Sequence, residues 1–293
     1  MQTYTSQAYL SNTTDERFRL WGKAVSDGLT AVGLVRKADT GQINWTSVTA
    51  PSTTNQRRGY EIWEVQDVFA ATFPMYLKIE YGSGASTWRP QIWVSVGTGS
   101  NGSGTLTIPA AWGTIPEIEL ATGGATEYFS SNGTSSNLYD IYVSGSGSNL
   151  AVAVFNYGSG VNRNRPLFFA FDRERDIDGQ PEGNYVTIWG QNTQVTISKT
   201  YGVLGAESVI LSNGIGNMWN TPQFDGKNPV SEIKPYWAGF HNPTTTIVAM
   251  HDIGAATPQG REFDAWLNGK EFKWKTVHGV DGVGTDLIGI RWA

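Results

Sequence analysis

Short runs in which apolar residues occupy every second position, separated by glycine-rich turns, recur along the chain and constrain its fold more than any other feature. The stretches MYLKIEYG (residues 75–82) and QIWVSVG (residues 91–97) show the pattern most clearly. Successive side chains of a β-strand point to opposite faces, so a period of two predicts half-buried strands. The intervening loop is long enough to join them as a hairpin, and GYEIWEV (residues 59–65) is expected to be a neighbour in the same sheet.

Further runs of this kind follow residue 137 and are linked by loops rich in glycine and serine. Asn268-Gly269 between two of them is the strongest hairpin signal, because this dipeptide suits the tight turns that join adjacent strands. Thirty-five glycines, 12 each of Trp, Tyr and Phe, and only 16% charged residues also favour many short strands over helices. The chain is therefore predicted to be mainly β, with a jelly-roll-like β-sandwich in its C-terminal part. These runs are LYDIYV, LAVAVF, LFFAF, YVTIWG, VTIS, SVILS, TTTIVAM, FDAWL and EFKWKTV.

One segment near the beginning of the chain has the period of a helix instead. Its apolar residues are spaced by three and four, which places them on one stripe of an α-helix. Such a stripe is ordinarily part of a core, so the helix is expected to pack on the smaller N-terminal sheet; docking to a membrane or a partner is the alternative. The stripe comprises Phe18, Trp21, Val25, Leu29 and Val32.

The sequence also indicates where this amphipathic helix begins and ends. Thr13 and Glu16 have the spacing of a capping box, and Gly33 is well placed as the C-terminal stop. Gly22 and Gly28 are expected to weaken the helix by about 1 kcal/mol each relative to alanine. The helix must therefore gain its stability from packing.

The domain organisation follows from a loss of periodicity between residues 97 and 126, where GTGSNGSG, IPAAWGTIP and ATGGAT follow one another. This composition is typical of linkers and long crossovers. Residues 1–118 are predicted to form a helix-plus-sheet domain, and residues 119–293 a β-sandwich domain.

Composition excludes several classes of site and partner. The chain has no cysteine, so disulfides, thiolate metal sites and cysteine nucleophiles are ruled out. Its net charge is −5 and no basic run is longer than Arg57-Arg58, which argues against a nucleic-acid partner. No apolar run approaches the length of a membrane span and no signal peptide is recognisable, so no membrane partner is expected.

No catalytic motif emerges from the sequence. Phosphate-binding loops, the G-x-S-x-G elbow and the H-E-x-x-H zinc motif are missing. His241, His251 and His278 are isolated in sequence, and a catalytic base needs an orienting partner. Neither catalytic residues nor a cofactor are predicted.

The run DRERDID (residues 172–178) follows the apolar segment LFFAF and is charged at six of its seven positions. Its acids recur at every second residue and would share one face of a continued strand, with Arg173 and Arg175 on the other. Neighbouring carboxylates repel one another unless a cation or arginines intervene. We interpret the run as a hairpin that leaves the core, its acids pairing with arginines of this chain or of a neighbouring molecule.

A calcium site is the alternative interpretation of the same run. Glu174, Asp176, Asp178 and Glu182 occupy positions 1, 3, 5 and 9 of a calcium loop. Position 12, which supplies a bidentate acid in an EF-hand, is Tyr185, so the match is partial. Only a looser calcium site remains open.

Twelve tryptophans leave a sugar-binding alternative open, because flat indole faces stack on pyranose rings. Trp45, Trp63, Trp88, Trp93 and Trp112 are the candidates for exposed positions. In a chain with so little other bulk, most tryptophans are expected to serve as core residues or as anchors of subunit contacts.

Residues 15–107 carry the motifs LxAVGLVxxADTGQINW, GYEIW, KIEYGSG and WVSVGTG. In these motifs the segment resembles a class of tailed-bacteriophage virion structural proteins. The resemblance implies a component of the tail, collar or head surface of a virion, assembled in the host cytoplasm and without enzymatic chemistry. It carries no catalytic residues over to this chain.

The sequence thus leads to the hypothesis of a non-enzymatic virion component that contacts its own copies and other virion proteins. Repeated contacts in a symmetric particle favour a homo-oligomer such as a trimer, hexamer or dodecamer. The rivals are a receptor- or glycan-binding module, with a host surface glycan as partner, and a glycosidase with acids drawn from Asp172, Glu174, Asp176 or Asp252. The candidates for subunit contacts are Arg163, Arg165, Arg173, Arg175, Asp172, Asp176, Trp88 and Trp93.

Overall fold

The computed structural model describes residues 1–110, 113, 115, 117–121, 138–146, 149–156, 167–175, 178, 180–192, 195–202, 205–211, 230–232, 247–250, 260, 262–267, 270–278 and 287–293. Within these residues the chain is mainly β, as predicted, with one α-helix and several antiparallel sheets. The helix is α1 (Asp15–Ala31). The strands are β1 (Gln2–Ala8), β2 (Val35–Arg36), β3 (Arg57–Glu64), β4 (Tyr76–Ser83), β5 (Pro90–Gly97), β6 (Gly99–Ser100), β7 (Leu106–Thr107), β8 (Glu117–Ala121), β9 (Tyr139–Gly145), β10 (Asn149–Asn156), β11 (Leu167–Arg175), β12 (Pro181–Asn192), β13 (Val195–Gly202), β14 (Gly205–Leu211), β15 (Val230–Glu232), β16 (Ile247–Met250), β17 (Glu262–Leu267), β18 (Lys270–His278) and β19 (Leu287–Arg291).

Five strands form an N-terminal sheet in the order β2-β3-β4-β5-β8. The predicted hairpin is confirmed, because β4 and β5 pair antiparallel from Tyr76 opposite Gly97 to Ser83 opposite Pro90. The predicted neighbour is confirmed as well, since β3 pairs with the other side of β4. The apolar residues of the period-two pattern lie on one buried face, and polar and aromatic residues occupy the other. The glycine-rich stretch after β5 contributes the small ribbon β6-β7.

A second sheet has seven strands in the order β1-β9-β10-β11-β12-β13-β14, and every pair in it is antiparallel. β9 to β14 correspond to the first six predicted runs. β1 was not predicted, because its sequence QTYTSQA has too few apolar residues to show an alternation. It joins the sheet through an unbroken register with β9, from Gln2 opposite Gly145 to Ala8 opposite Tyr139.

A third sheet has five strands in the order β15-β16-β19-β18-β17. It contains the last three predicted runs. The hairpin predicted at Asn268-Gly269 is confirmed by the pairing of β17 with β18, in which Leu267 lies opposite Lys270. The two turn residues themselves lie outside the described residues.

The apolar stripe of α1 is buried as predicted, with all five of its residues at most 1% exposed. Its beginning differs by one residue from the prediction. Thr14 is the N-cap, and its hydroxyl oxygen accepts a hydrogen bond from the backbone N–H of Arg17 at 3.1 Å. Thr13 shares a hydrogen bond with the hydroxyl of Ser11 instead.

Among the described residues, no helix combines the length and the hydropathy of a transmembrane segment.

The predicted end of α1 at Gly33 is confirmed. Gly33 has a φ of +92°, a conformation that side chains other than glycine adopt only with strain. The backbone N–H of Leu34 donates to the carbonyl of Leu29, and the N–H of Gly33 donates to Thr30. This pair of bonds is the Schellman motif, which satisfies two carbonyls at the end of the helix.

At its two internal glycines, α1 packs closely against neighbouring parts of the chain. A Cβ at Gly22 would overlap the indole ring of Trp45. A Cβ at Gly28 would lie 2.5 Å from Val143 of β9 and 2.9 Å from Tyr4 of β1. The helix therefore tolerates residues of low helix propensity because they let it pack closely on both sides.

One hydrophobic core lies between the N-terminal sheet, α1 and one face of the seven-stranded sheet, and it includes Val25, Val94 and Phe169. The opposite face of the seven-stranded sheet contacts the C-terminal end of the chain, where Tyr142 packs edge-on against Trp292 with ring centroids 5.6 Å apart. Pairing crosses the predicted boundary between residues 118 and 119. β1 belongs to the seven-stranded sheet, and β8 completes the N-terminal sheet. The division into two domains stays a prediction.

Candidate functional site

The charged run that was predicted to leave the core begins inside β11, which continues to Arg175. Asp172 and Arg173 are both buried. Arg173 forms a two-point ion pair with Asp67, from Nε to Oδ2 at 2.6 Å and from Nη2 to Oδ1 at 3.2 Å. The interpretation as an outward hairpin is therefore wrong at these two residues. Their burial does not support an assignment as subunit contacts, which stays a prediction.

The rest of the charged run is described only in part. Asp178 is exposed in a turn. Within the described residues, no group of three or more histidine or acidic side chains is placed to hold a metal ion. The calcium alternative thus stays untested. Outside the described part lie Arg163, Arg165, Asp176, His241, His251 and Asp252, together with the side chains of Glu174, Arg175, Glu182 and His278.

Four of the five tryptophans that were candidates for exposed positions are described. Trp45, Trp63 and Trp93 are buried, which excludes these three candidates for exposed positions. Trp88 is half-buried against the core, and the guanidinium of Arg89 lies 4.8 Å from its ring centroid. Trp112 lies outside the described residues. The core role that was expected for most of the tryptophans is confirmed for these three.

The junction between α1 and the N-terminal sheet contains a buried carboxylate, Glu61 of β3. Its Oε1 accepts hydrogen bonds from the hydroxyl of Ser26 at 2.9 Å and from the indole N–H of Trp45 at 3.0 Å. Its Oε2 accepts from the hydroxyl of Tyr81 at 2.8 Å. The Nε of Arg36 lies 3.4 Å from Oε1 and supplies the opposite charge. Each carboxylate oxygen is thus satisfied, as burial of a charge requires.

Sequence reasoning missed Glu61, although a signal existed. In GYEIWEV, Glu61 is in phase with Trp63 and Val65, so the strand carries its side chain to the buried face. The donors come from α1, from the loop after β2 and from β4, which ties the helix to the sheet. Burial and the charge of Glu61 raise the pKa of Tyr81 well above its ordinary value, so Tyr81 remains a hydrogen-bond donor.

The opposite side of the N-terminal sheet is here called the outer face. Its charged and aromatic residues are Lys37, Arg57, Tyr60, Glu64, Tyr76, Lys78, Glu80, Trp93, Glu117 and Glu119.

Arg57 is the centre of the outer face. Its guanidinium lies 4.7 Å from the ring centroid of Trp93, donates to Glu80, and pairs with Glu117 at 2.9 Å. Lys78 adds a second cation 3.3 Å from Glu80. Burial lowers the pKa of Arg57, but the hydrogen bond and charge of Glu117 and the charge of Glu80 outweigh it, so this pKa lies above its ordinary value.

The two tyrosines of the outer face each lie beneath a lysine. The Nζ of Lys78 is 5.1 Å from the ring centroid of Tyr60, and that of Lys37 is 5.5 Å from Tyr76. Lys37 also pairs with Glu64 at 2.8 Å, and the hydroxyl of Tyr76 donates to the same carboxylate at 3.1 Å. The hydrogen bond to Glu64 raises the pKa of Lys37, and burial raises the pKa of Tyr76.

Two carboxylates of the outer face share one cation. Arg57 lies between Glu80 and Glu117 and donates hydrogen bonds to both. Partly exposed arginine and tyrosine on a rigid sheet are typical of protein interfaces.

A comparison with known proteins does not assign the chain to a family. No family model matches it, and no significant match is found among curated proteins or solved structures. The resemblance to phage virion proteins therefore stays a prediction.

Proposed function

We propose that this chain is a non-enzymatic structural component of a tailed-bacteriophage virion, located in the tail, the collar or the head surface. It acts through self-association and through contacts with other virion proteins. The structural observation that carries the proposal is the outer face, where the partly exposed side chains of Arg57 and Glu117 pair across strands, and Arg57 covers the buried ring of Trp93. The motifs within residues 15–107 supply the expected setting.

The proposal includes a jelly-roll-like sandwich in the part of the chain after residue 118. It is supported by the contact between the seven-stranded and C-terminal sheets. The Nζ of Lys275 lies 4.1 Å from the ring centroids of both Tyr142 and Trp292, one from each side of this contact. Such cation–π contacts favour face-to-face packing of the two sheets.

The test is the composition of purified phage particles. Mass spectrometry should detect the chain in particles, and antibody labelling in electron microscopy should place it at a repeated position on them. An Arg57→Ala variant should enter particles less well than Lys270→Ala, an exposed substitution of the same charge outside the outer face. Absence of the chain from purified particles would contradict the proposal.

A receptor- or glycan-binding module is the second candidate, and Trp266 on β17 favours it. Trp266 is 38% exposed and can present an indole face to a sugar ring. Glycan-array binding that is lost in Trp266→Ala but kept in Val68→Ala would support this function, since Val68 is an exposed apolar residue without an aromatic ring. An array without signal would count against it.

A further inference from the structure

Among the strands that the structure describes, β1 lies at one edge of the seven-stranded sheet and has β9 on its inner side. An edge strand presents a row of backbone N–H and C=O groups to its outer side, and proteins usually protect such edges with charges, prolines, bulges or short strands. β1 is seven residues long and contains neither a charged residue nor a proline. Its register with β9 has no bulge. This edge is therefore a template on which another strand can pair.

We infer that β1 pairs antiparallel with β1 of a second copy of this chain, about a two-fold axis at Thr5. The inference rests on the proposed function, because it names the surface through which copies associate. In this register Thr3 lies opposite Gln7 of the second copy, and Tyr4 lies opposite Ser6. Opposite residues of an antiparallel pair share a face of the sheet. The register thus joins exposed Thr3 to exposed Gln7, and half-buried Tyr4 to half-buried Ser6.

The same register also brings the α1 helices of the two copies together on one face of the sheet. α1 runs along β1 in the opposite direction, since the guanidinium of Arg17 lies 4.8 Å from the ring centroid of Tyr9 whereas Gly28 approaches Tyr4. A helix rises about 1.5 Å per residue and a strand about 3.4 Å, so the point of α1 level with Thr5 falls near residue 26. A two-fold axis at Thr5 therefore sets the two α1 helices antiparallel, side by side.

The two helices have room in this arrangement. Gly28 packs against both Tyr4 and Val143, which are cross-strand partners, so α1 lies over the pair formed by β1 and β9. A helix centred there is about 5 Å from the axis, which places the two helices about 10 Å apart, an ordinary packing distance.

Exposed side chains of α1 complement one another across the two-fold axis. Lys23 and Asp27 are about half exposed and pair with each other within one helix at 2.5 Å. Across the axis, Lys23 of one copy comes within about one helical turn of Asp27 of the other. Leu20, an apolar side chain that is 50% exposed, comes level with the exposed Ala31 of the second copy. Opposite charges and apolar side chains thus face one another.

A contact of this kind closes on itself and produces a dimer. A hexamer or dodecamer would be assembled from such dimers through a second, different contact.

Single cysteines test the register, because the chain contains no cysteine of its own. Under mild oxidation the Thr5→Cys variant should form a disulfide-linked dimer, since residue 5 faces its own counterpart at the axis. In the matched control Thr3→Cys, the two thiols would be about 14 Å apart along the strands, too far for a disulfide. We expect at least tenfold more linked dimer from Thr5→Cys. No link from Thr5→Cys, or equal linking in both variants, would overturn the inference.

Charge substitutions test the contact without a covalent bond. Light scattering should give twice the mass of a single chain for the unmodified protein and for Thr5→Val. Thr5→Lys and Thr5→Glu should each be monomeric, because like charges directly opposite destabilise a strand pair. An equal mixture of the two should recover the dimer, since the charges at the axis are then opposite. A monomeric unmodified protein, or a mixture that stays monomeric, would overturn the inference.

The experiments distinguish a failure of the proposed β1 contact from a failure of the proposed virion function. A chain that is present in phage particles but gives no link from Thr5→Cys loses only the β1 contact. A linked dimer from a chain that is absent from particles overturns the proposed function and leaves the contact between copies.

Discussion

Arg173 and Asp67, 106 residues apart in the chain, form a two-point ion pair whose side chains are 0% and 4% exposed. The pair joins β11 of the seven-stranded sheet to the loop between β3 and β4 of the N-terminal sheet. Removing one partner of a buried pair leaves an uncompensated charge and costs about 3–5 kcal/mol. The packing of the two sheets therefore depends on both charged side chains being present.

Replacing Arg173 or Asp67 alone should lower the free energy of unfolding strongly, and replacing both should cost less than the two single losses added together. We expect Arg173→Met and Asp67→Ala each to lose about 3–5 kcal/mol, and the double variant to lose less than their sum, because neither charge is then left alone. Urea denaturation of the four proteins measures the difference. The control is Lys273→Met in the exposed pair with Asp264, which should cost at most about 1 kcal/mol. Strictly additive losses would show that the two side chains are not coupled.

Glu61→Gln should destabilise the junction between α1 and the N-terminal sheet. The amide group replaces one acceptor by a donor, so one of the donors from Ser26, Trp45 and Tyr81 loses its partner. An unsatisfied buried group costs about 1–3 kcal/mol. Urea denaturation should show this loss, and the exposed Glu16→Gln should cost at most about 1 kcal/mol, the range of a charge near a helix N-terminus. Equal losses in both variants would contradict the role of Glu61.

Gly22→Ala should destabilise the protein although alanine is the better helix former. Propensity alone predicts a gain of about 1 kcal/mol. The added methyl group would overlap the ring of Trp45, and overpacking typically costs about 1–3 kcal/mol. Thermal unfolding should show a lower Tm for Gly22→Ala and little change for Thr30→Ala at an exposed position of the same helix. A raised Tm for Gly22→Ala would mean that Trp45 moves aside freely.

Stability should fall at alkaline pH in part because of Tyr81. Its pKa is raised well above the ordinary value in the folded chain, through burial and the charge of Glu61. The unfolded chain releases this proton at about pH 10, so the stabilising contribution is complete below that pH and is lost as the pH rises towards the folded pKa. In Tyr81→Phe the free energy of unfolding should be lower at pH 8 but should decline less between about pH 9 and pH 11.

The matched control for the alkaline effect is Tyr60→Phe. Burial raises the pKa of Tyr60 as well, but this side chain is half-buried on the outer face. Its replacement should flatten the pH dependence less than Tyr81→Phe does. Identical pH profiles for the unmodified protein and Tyr81→Phe would contradict the role of Tyr81.

Local patterns in the sequence predicted the elements whose burial is regular. The stripe from Phe18 to Val32 and the alternation in β4 predicted a helix and a strand, because their period alone determines which side chains share a face. β1 escaped prediction, since QTYTSQA has no such alternation and is recruited by pairing with β9. The N-cap was placed at Thr13 rather than Thr14, because adjacent threonines offer the same signal.

The site residues were harder to predict than the elements. Trp93 was a candidate for an exposed position, and the strand pattern does not reveal that Arg57 covers its ring. Arg173 was expected to reach a neighbouring molecule, and its partner is instead Asp67 of the same chain. Neither contact has a signal at short range in the sequence.

The sequence by itself determined the mainly β class, α1 with its C-terminal glycine stop, and the strands β3, β4 and β5, because these depend on the spacing of neighbouring residues. Only the tertiary structure decided which sheet β1 completes, which carboxylates are buried, and which tryptophans are covered. Such outcomes depend on contacts between residues far apart in the chain. Their free energy arises from burial and pairing that exist only once the sheets have packed.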